Sequence, residues 1–424
     1  MPTAKGSTKS KRILCCRAYR HSIACDPHDG TLSGSTIKRF MSATFPPAGS
    51  TDPRQIITET LQAELHDIFQ VDRVRQRRSG SAITFFGRFL QDIQEVFELV
   101  QHRFAQHGYT PLLRKEKGED VIVALPGLAE EGRNRSPLIN VFLFLATVFT
   151  TLAAGAILAG AGNVISLILA GDFFSLLPLL WQGAPFALAL ISILLVHELG
   201  HFFAARAHGV AASLPYFIPL PPISPSFVGL GTLGAFITIR SPMKNRKILF
   251  DIGLAGPLAG LLVAIPLLIA GLFLSEPVPY FSSGLTLRFL GDSLLTQGLA
   301  TTLIDIPAGQ TLALHPIYFA AWFGLLIPGI NLLPIGQLDG GHVSYGLLGR
   351  HAHRVAQVAF LLLLLAGLFV NTSWFFWAFF VLLGGLRHAP PMNDITTLDR
   401  PRLFLAGFTI ILFFLLLVPQ PFGN

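Results

Sequence analysis

The sequence predicts a mainly α-helical, polytopic membrane protein with about seven transmembrane helices and a re-entrant β-like segment, preceded by a small soluble α/β domain. Three observations predict it. Hydrophobic residues fill 51% of the 424 positions and charged residues only 13%, against roughly 25% charged in an average soluble domain. Phe alone contributes 36 residues, and several uninterrupted apolar runs are long enough to cross a bilayer. The basic residues between those runs fall almost entirely on one side, as the positive-inside rule requires.

The net charge of +7 is concentrated at one end. Residues 1–40 hold eight Lys/Arg and two Asp/Glu, which leaves 23 basic and 22 acidic residues over the rest. A near-neutral body excludes a general nucleic-acid binder. Residues 1–45 are basic, rich in Ser and Thr and poor in acids. They read as a disordered tail or a start misplaced ahead of Met41, with an organelle transit peptide as the further reading. No apolar stretch follows the charges as in a secretory signal. The three cysteines, Cys15, Cys16 and Cys25, all lie in this tail, so no disulfide framework holds the body together.

Residues 46–126 are expected to form the soluble domain. Leu61 to Val71 has helical apolar spacing, Ala82 to Gly87 suits a strand, and Ile93, Val96, Phe97, Val100 and Phe104 recur at helical intervals. Tyr109–Leu113 and Val121–Leu125 read as strands joined by a charged turn, giving a β-α-β-β unit. It carries no nucleotide loop and no catalytic cluster. A polar linker, 127–136, leads into a membrane-embedded domain, 137–424.

The expected spans are Pro137–Gly160, Leu177–Ala207, Ile248–Phe273, Pro316–Leu333, Val355–Val370, Trp374–Leu386 and Leu403–Val418. Val164–Gly171 is too short to cross. Five prolines between Pro215 and Pro225 forbid a helix there. The Gly-rich run Gly229–Arg240 reads as a re-entrant strand or hairpin, which is tolerated at membrane depth only under cover of protein or beside a watery cavity. Small residues from Gly253 to Gly260 let neighbouring helices approach closely. Residues 275–314 read as a polar loop. With the soluble domain on the cytoplasmic side, the inner segments hold Arg133, Arg135, Arg206, Arg240, Lys244, Arg246, Lys247, Arg350, Arg354, Arg387, Arg400 and Arg402, and the outer ones only Arg288.

Chemistry enters at His197-Glu198-Leu199-Gly200-His201. Histidines four apart share a helix face and can grip one Zn2+ ion, and the glutamate can act on the water that such an ion activates. Two His and a Glu are costly in hydrocarbon, so the cluster points to function. A third ligand must lie at the same depth. Asp339, 138 residues beyond His201, is the preferred choice, and Asp251, at the inner end of the third span, is the rival; it can equally cap that helix.

These residues, together with Asn331-Leu332-Leu333-Pro334-Ile335-Gly336-Gln337-Leu338-Asp339-Gly340, resemble the site-2 protease family of intramembrane zinc metalloproteases. Every fixed position of that family's N-x-x-P-x-x-x-L-D-G motif is met, and Gly256-Pro257 is similar too. The resemblance covers about residues 180–350 and looks most like the branch shared by bacteria and chloroplasts. It implies His197, His201 and Asp339 as ligands of one catalytic zinc and Glu198 as the catalytic acid/base. Asn331 is a candidate oxyanion donor or substrate binder, with a structural helix-end role as the other reading. His342 reads either as support for Asp339 or as an interface histidine without a role. The implied function is hydrolysis of peptide bonds in or near transmembrane segments of membrane proteins. The alternative is a membrane metal-ion transporter using the same His and Asp ligands. The implied partners are a membrane-protein substrate and the bilayer, with no nucleic acid. A bacterial cytoplasmic membrane is favoured, with a chloroplast membrane as the alternative. The sequence sets neither the substrate nor the oligomeric state.

Overall fold

The computed structural model describes residues 52–76, 82–128, 136–222, 229–280, 286–287 and 290–420. The expected tail with its cysteines, most of the linker and Arg288 lie outside the described residues. The chain divides into two compact units, Met1–Ala63 and Glu64–Asn424. In the first, the described part is helix α1 (Pro53–Ala63).

The second unit begins with a four-stranded antiparallel sheet of order β1-β2-β4-β3, made of β1 (Phe69–Gln76), β2 (Ile83–Phe89), β3 (Tyr109–Glu116) and β4 (Glu119–Pro126). Helix α2 (Ile93–Gln106) crosses between β2 and β3. Asp92 caps it by accepting from the Gln94 amide, and Val96, Phe97, Val100 and Phe104 form its buried stripe. The helical periodicity expected to reach Val71 stops at Ala63, and Phe69 onward is strand. Pairing with β2 overrides the local pattern, since Phe69 sits opposite Phe89 with the rings 4.9 Å apart. The unit is therefore β-β-α-β-β, one strand more than the sequence suggested.

The edge of this sheet is stitched to a distant segment. Leu113 of β3 donates to the Met392 carbonyl at 2.7 Å and accepts from the Asp394 amide at 3.0 Å. On its other side, the same segment donates from Met392 to the Met243 carbonyl and from Asn393 to the Lys244 carbonyl, both at 2.8 Å.

Four helical segments are long and apolar enough to cross a membrane: α3 (Leu138–Leu158), then Ala184–Ala207, Arg246–Phe273 and Asp339–Phe369. This is fewer than the seven expected. The expected second span is split at Gly183 into α5 (Phe173–Gln182) and α6 (Ala184–Ala207), after a short α4 (Val164–Ala170). The split falls just ahead of Pro185, in the first turn of α6, and packing accommodates it. Gly155 of α3 and Gly183 abut backbone to backbone, and a Cβ on Gly155 would lie 2.6 Å from the Gly183 carbonyl oxygen. Beyond α6, β5 (Tyr216–Pro219) pairs antiparallel with β6 (Thr232–Phe236). The Gly-rich run thus holds a strand, and the Pro-rich run holds its partner.

Helix α7 (Arg246–Phe273) starts at Asn245, whose side chain accepts from the Ile248 amide. The expected loop 275–314 is structured: β7 (Glu276–Pro279) pairs with β8 (Gln310–Ala313), and α8 (Leu294–Leu303) opens on a Ser293–Thr296 capping box. Helix α9 (Pro316–Asn331) runs through Pro328 rather than breaking there, because neighbouring helices cover the freed backbone groups. The last long segment is α10 (Asp339–Leu348), a 3-10 turn at Gly349–His351, and α11 (Ala352–Phe369). Gly349 supplies the positive φ, +57°, that this break requires. Helices α12 (Ser373–Gly384) and α13 (Arg400–Leu416) follow. The main core lies between α6, α7 and α9, around Phe186, Leu190, Ile193, Leu268, Tyr318 and Trp322.

Candidate metal centre

Helix α6 carries His197, Glu198 and His201 one turn apart, and all three are buried. Asp339 is the first residue of α10. The two histidine Nε2 atoms lie 3.2 Å apart. Asp339 Oδ2 lies 3.3 Å from His197 Nε2, and Oδ1 lies 3.3 Å from His201 Nε2. Asp251 is elsewhere: its carboxylate takes two hydrogen bonds from Arg402, at 2.7 and 2.5 Å, and lies 3.0 Å from His208 Nε2. Among the described residues, the group able to converge on one ion is His197, His201 and Asp339.

The site fits a divalent metal on three counts. Two nitrogens each about 2.0–2.1 Å from a tetrahedral zinc stand roughly 3.3 Å apart, which the 3.2 Å Nε2–Nε2 separation matches, and an Asp339 carboxylate oxygen approaches each nitrogen. Oδ2 of Asp339 has no hydrogen-bond partner despite its depth; a buried carboxylate oxygen in that state calls for a cation. His201 Nδ1 donates to the Ile252 carbonyl at 2.7 Å, which leaves the Nε2 lone pair facing the cluster. A third-position aspartate with two imidazoles is a hard-to-borderline donor set suited to zinc.

Helix α7 sets the positions of these side chains through glycines on one face. A Cβ on Gly256 would overlap the His201 imidazole. One on Gly260 would stand 3.2 Å from His197 Nδ1, and one on Gly253 2.5 Å from His342 Cβ and 3.2 Å from the Asp339 carbonyl oxygen. The small-residue run read as a helix-packing surface thus also forms the floor of the candidate metal centre. Glu198 lies beside the two histidines on α6, and the Ile237 backbone, just past β6, is near its carboxylate. Asn331 ends α9, half-buried, eight residues before Asp339. His342, one turn into α10, bonds through Nδ1 to the Leu338 carbonyl at 2.9 Å and meets the His388 ring edge-on at 4.7 Å.

Sequence reasoning did not find His388, Arg402 or the Ile237 backbone. Neither histidine nor arginine stands in a recognisable spacing with the motifs, and a backbone group has no sequence signal at all.

Residues 185–370 match the model of a family described as Peptidase family M50. This segment is a Peptidase family M50 domain. The M50 domain contains His197, Glu198, His201 and Asp339, as well as the glycines of α7. The chain is 34% identical over 256 residues to "Probable zinc metalloprotease EGY2, chloroplastic" of Arabidopsis thaliana, covering 59% of this chain and 44% of the relative. It is 31% identical over 372 residues to "Probable zinc metalloprotease EGY1, chloroplastic" of Oryza sativa subsp. japonica, covering 78% and 62%. It is 25% identical over 357 residues to the EGY3 protein of Oryza sativa subsp. indica, covering 77% and 58%. The chain spans about half the length of the curated relatives it matches.

Proposed function

We propose that the chain is an intramembrane zinc metalloprotease that hydrolyses peptide bonds in or near transmembrane segments of membrane proteins. The observation that supports this most is the convergence of the two imidazoles and Asp339 on helices that run among membrane-length apolar segments. His197, His201 and Asp339 hold the ion. When bound, zinc supplies a Lewis acid that polarises the scissile carbonyl and lowers the pKa of a water toward about 7. Glu198 takes a proton from the attacking water onto its carboxylate and returns it to the amide nitrogen as the bond breaks. The Asn331 side-chain amide donates to the substrate carbonyl or backbone.

A substrate helix shields its own amides and must unwind to be cut. Strand β6 pairs on one side with β5, and its exposed residues Leu233 and Phe236 offer the other edge to an extended substrate by β-addition. Helices α9, α12 and α13 complete seven spans with the four long segments. The sheet of β1 to β4 with α2 acts as a soluble module docked on the segment 392–394. The relatives carry chloroplastic names, so a chloroplast-type membrane is the better-supported compartment, ahead of the bacterial one that the sequence favoured.

The test is reconstitution of the wild type and Glu198→Gln with a model membrane substrate, with zinc measured in both. Cleavage by the wild type alone, at equal zinc content, is the expected result. Cleavage by both, or metal transport by both without cleavage, overturns the reading in favour of another activity.

A further inference from the structure

An apolar cavity of about 630 Å3 opens between α11, α12 and α13, on helices that hold none of the residues at the metal centre. Its walls include Val358 and Leu362 of α11 and Phe414 of α13, each more than half exposed. Trp374 lies at its far end, with the indole N–H donating to the Pro419 carbonyl at 2.8 Å. Leu333 and Pro334, in the loop that leads to Asp339, form part of the rim. One charged side chain, Arg354, lines it. Among the described residues no carboxylate pairs with Arg354.

Size decides what fits. From Arg354 to Val370 the groove follows α11 for 16 residues, about 24 Å at 1.5 Å per residue. One acyl chain of a single leaflet, reaching about 15 Å into a bilayer core about 30 Å thick, fits. Arg354 stands at the polar start of α11, beside Arg350, His351 and His353, while Leu361 to Phe369 beyond it carry no charge. A basic residue at the mouth of an apolar inter-helix groove matches an anionic headgroup joined to an acyl tail.

We propose that this cavity is a lipid site: it holds one anionic phospholipid, with the phosphate on Arg354 and one acyl chain in the groove against α11 and α13. The tail rests on Leu333 and Pro334, so the lipid braces the loop that positions Asp339.

The experiment uses the full chain in vesicles of equal phosphatidylglycerol and phosphatidylcholine, followed by gentle detergent extraction and native mass spectrometry. The readout is retained lipid, not peptide hydrolysis. The wild type is expected to keep one phosphatidylglycerol at least tenfold over phosphatidylcholine. Arg354→Gln loses that preference, Arg354→Lys keeps it, and Ala359→Phe, which fills the groove, loses lipid of both kinds. Arg354 is exposed, so its variants fold even where Ala359→Phe does not. Equal retention of both lipids by the wild type overturns the proposal. So does an unchanged preference in Arg354→Gln, displacement of the lipid by an apolar transmembrane peptide, or equal binding of soluble glycerol phosphate.

Discussion

Asp339 and Asp251 make an instructive pair. Each is set in a membrane-helix region with a histidine Nε2 close by: His197 and His201 at 3.3 Å in one case and His208 at 3.0 Å in the other. Asp251 also receives both arms of the Arg402 guanidinium, and Arg402 in turn bonds Asp399. Its charge is matched by the protein itself. Among the described residues Asp339 has no such cation, and Oδ2 is left without a hydrogen bond. A carboxylate oxygen buried without a partner is unfavourable until a cation arrives, whereas a carboxylate already held by a guanidinium has no need of one. The neighbouring cation, not the residue type, separates a candidate ligand from a structural anchor.

The largest effect expected from this contrast is at Asp339. Asp339→Asn should strip zinc and cut cleavage roughly 10³-fold or more, while Asp251→Asn keeps wild-type zinc; metal analysis of the purified proteins checks both. Equal zinc loss in the two variants would break the distinction.

Next comes the floor of the site. Gly256→Ala places a methyl in the His201 ring and should lower cleavage by roughly 10²-fold, the scale of a misplaced catalytic group. Gly298→Ala, where a Cβ meets nothing within 4 Å, is the control and should leave cleavage unchanged.

Asp251→Asn should cost about 1–3 kcal/mol of stability by leaving Arg402 short of its anion, read as a lower thermal midpoint in detergent. A midpoint equal to that of the wild type would show that Asp251 is no anchor.

The smallest effect belongs to an exposed version of the same pairing. Arg103 donates both nitrogens to Asp67, at 2.6 and 2.9 Å, and holds its carboxyl down at about 2. A depressed carboxyl pKa stabilises above the unfolded value near 3.9 and loses that contribution as pH falls through about 2. The stability gap between the wild type and Asp67→Asn should therefore close between about pH 4 and pH 2.

How much could be read from the sequence follows the same division between fixed spacing and tertiary contact. His197, Glu198 and His201 are legible because one helical turn relates them, and Asp339 because it closes a motif of fixed length. The choice of Asp339 over Asp251 turns on Arg402, 151 residues from Asp251, which no local pattern reports. The long apolar helices are legible from hydropathy. The break at Gly183 has a local signal in Pro185, in the first turn of α6, and a tertiary partner that no pattern reports, the α3 backbone against Gly183. Strand β1 was hidden by a helical period that its pairing with β2 overrode, and β5 by prolines that sheet pairing tolerates at an edge.

The residues around Asn393 have a bearing on any attempt to trim this protein. Their main chain is hemmed in from both sides, by Leu113 of the N-terminal sheet and by Met243 and Lys244 just ahead of the helix that floors the metal centre. Cutting away residues 64–126 would strand an amide and a carbonyl two residues from the doorstep of that helix, and their re-solvation would be felt at Asn245, its first turn. A shortened protein reduced to the peptidase segment is thus a different molecule from the parent, with its scaffold loosened at the point where the glycine face begins.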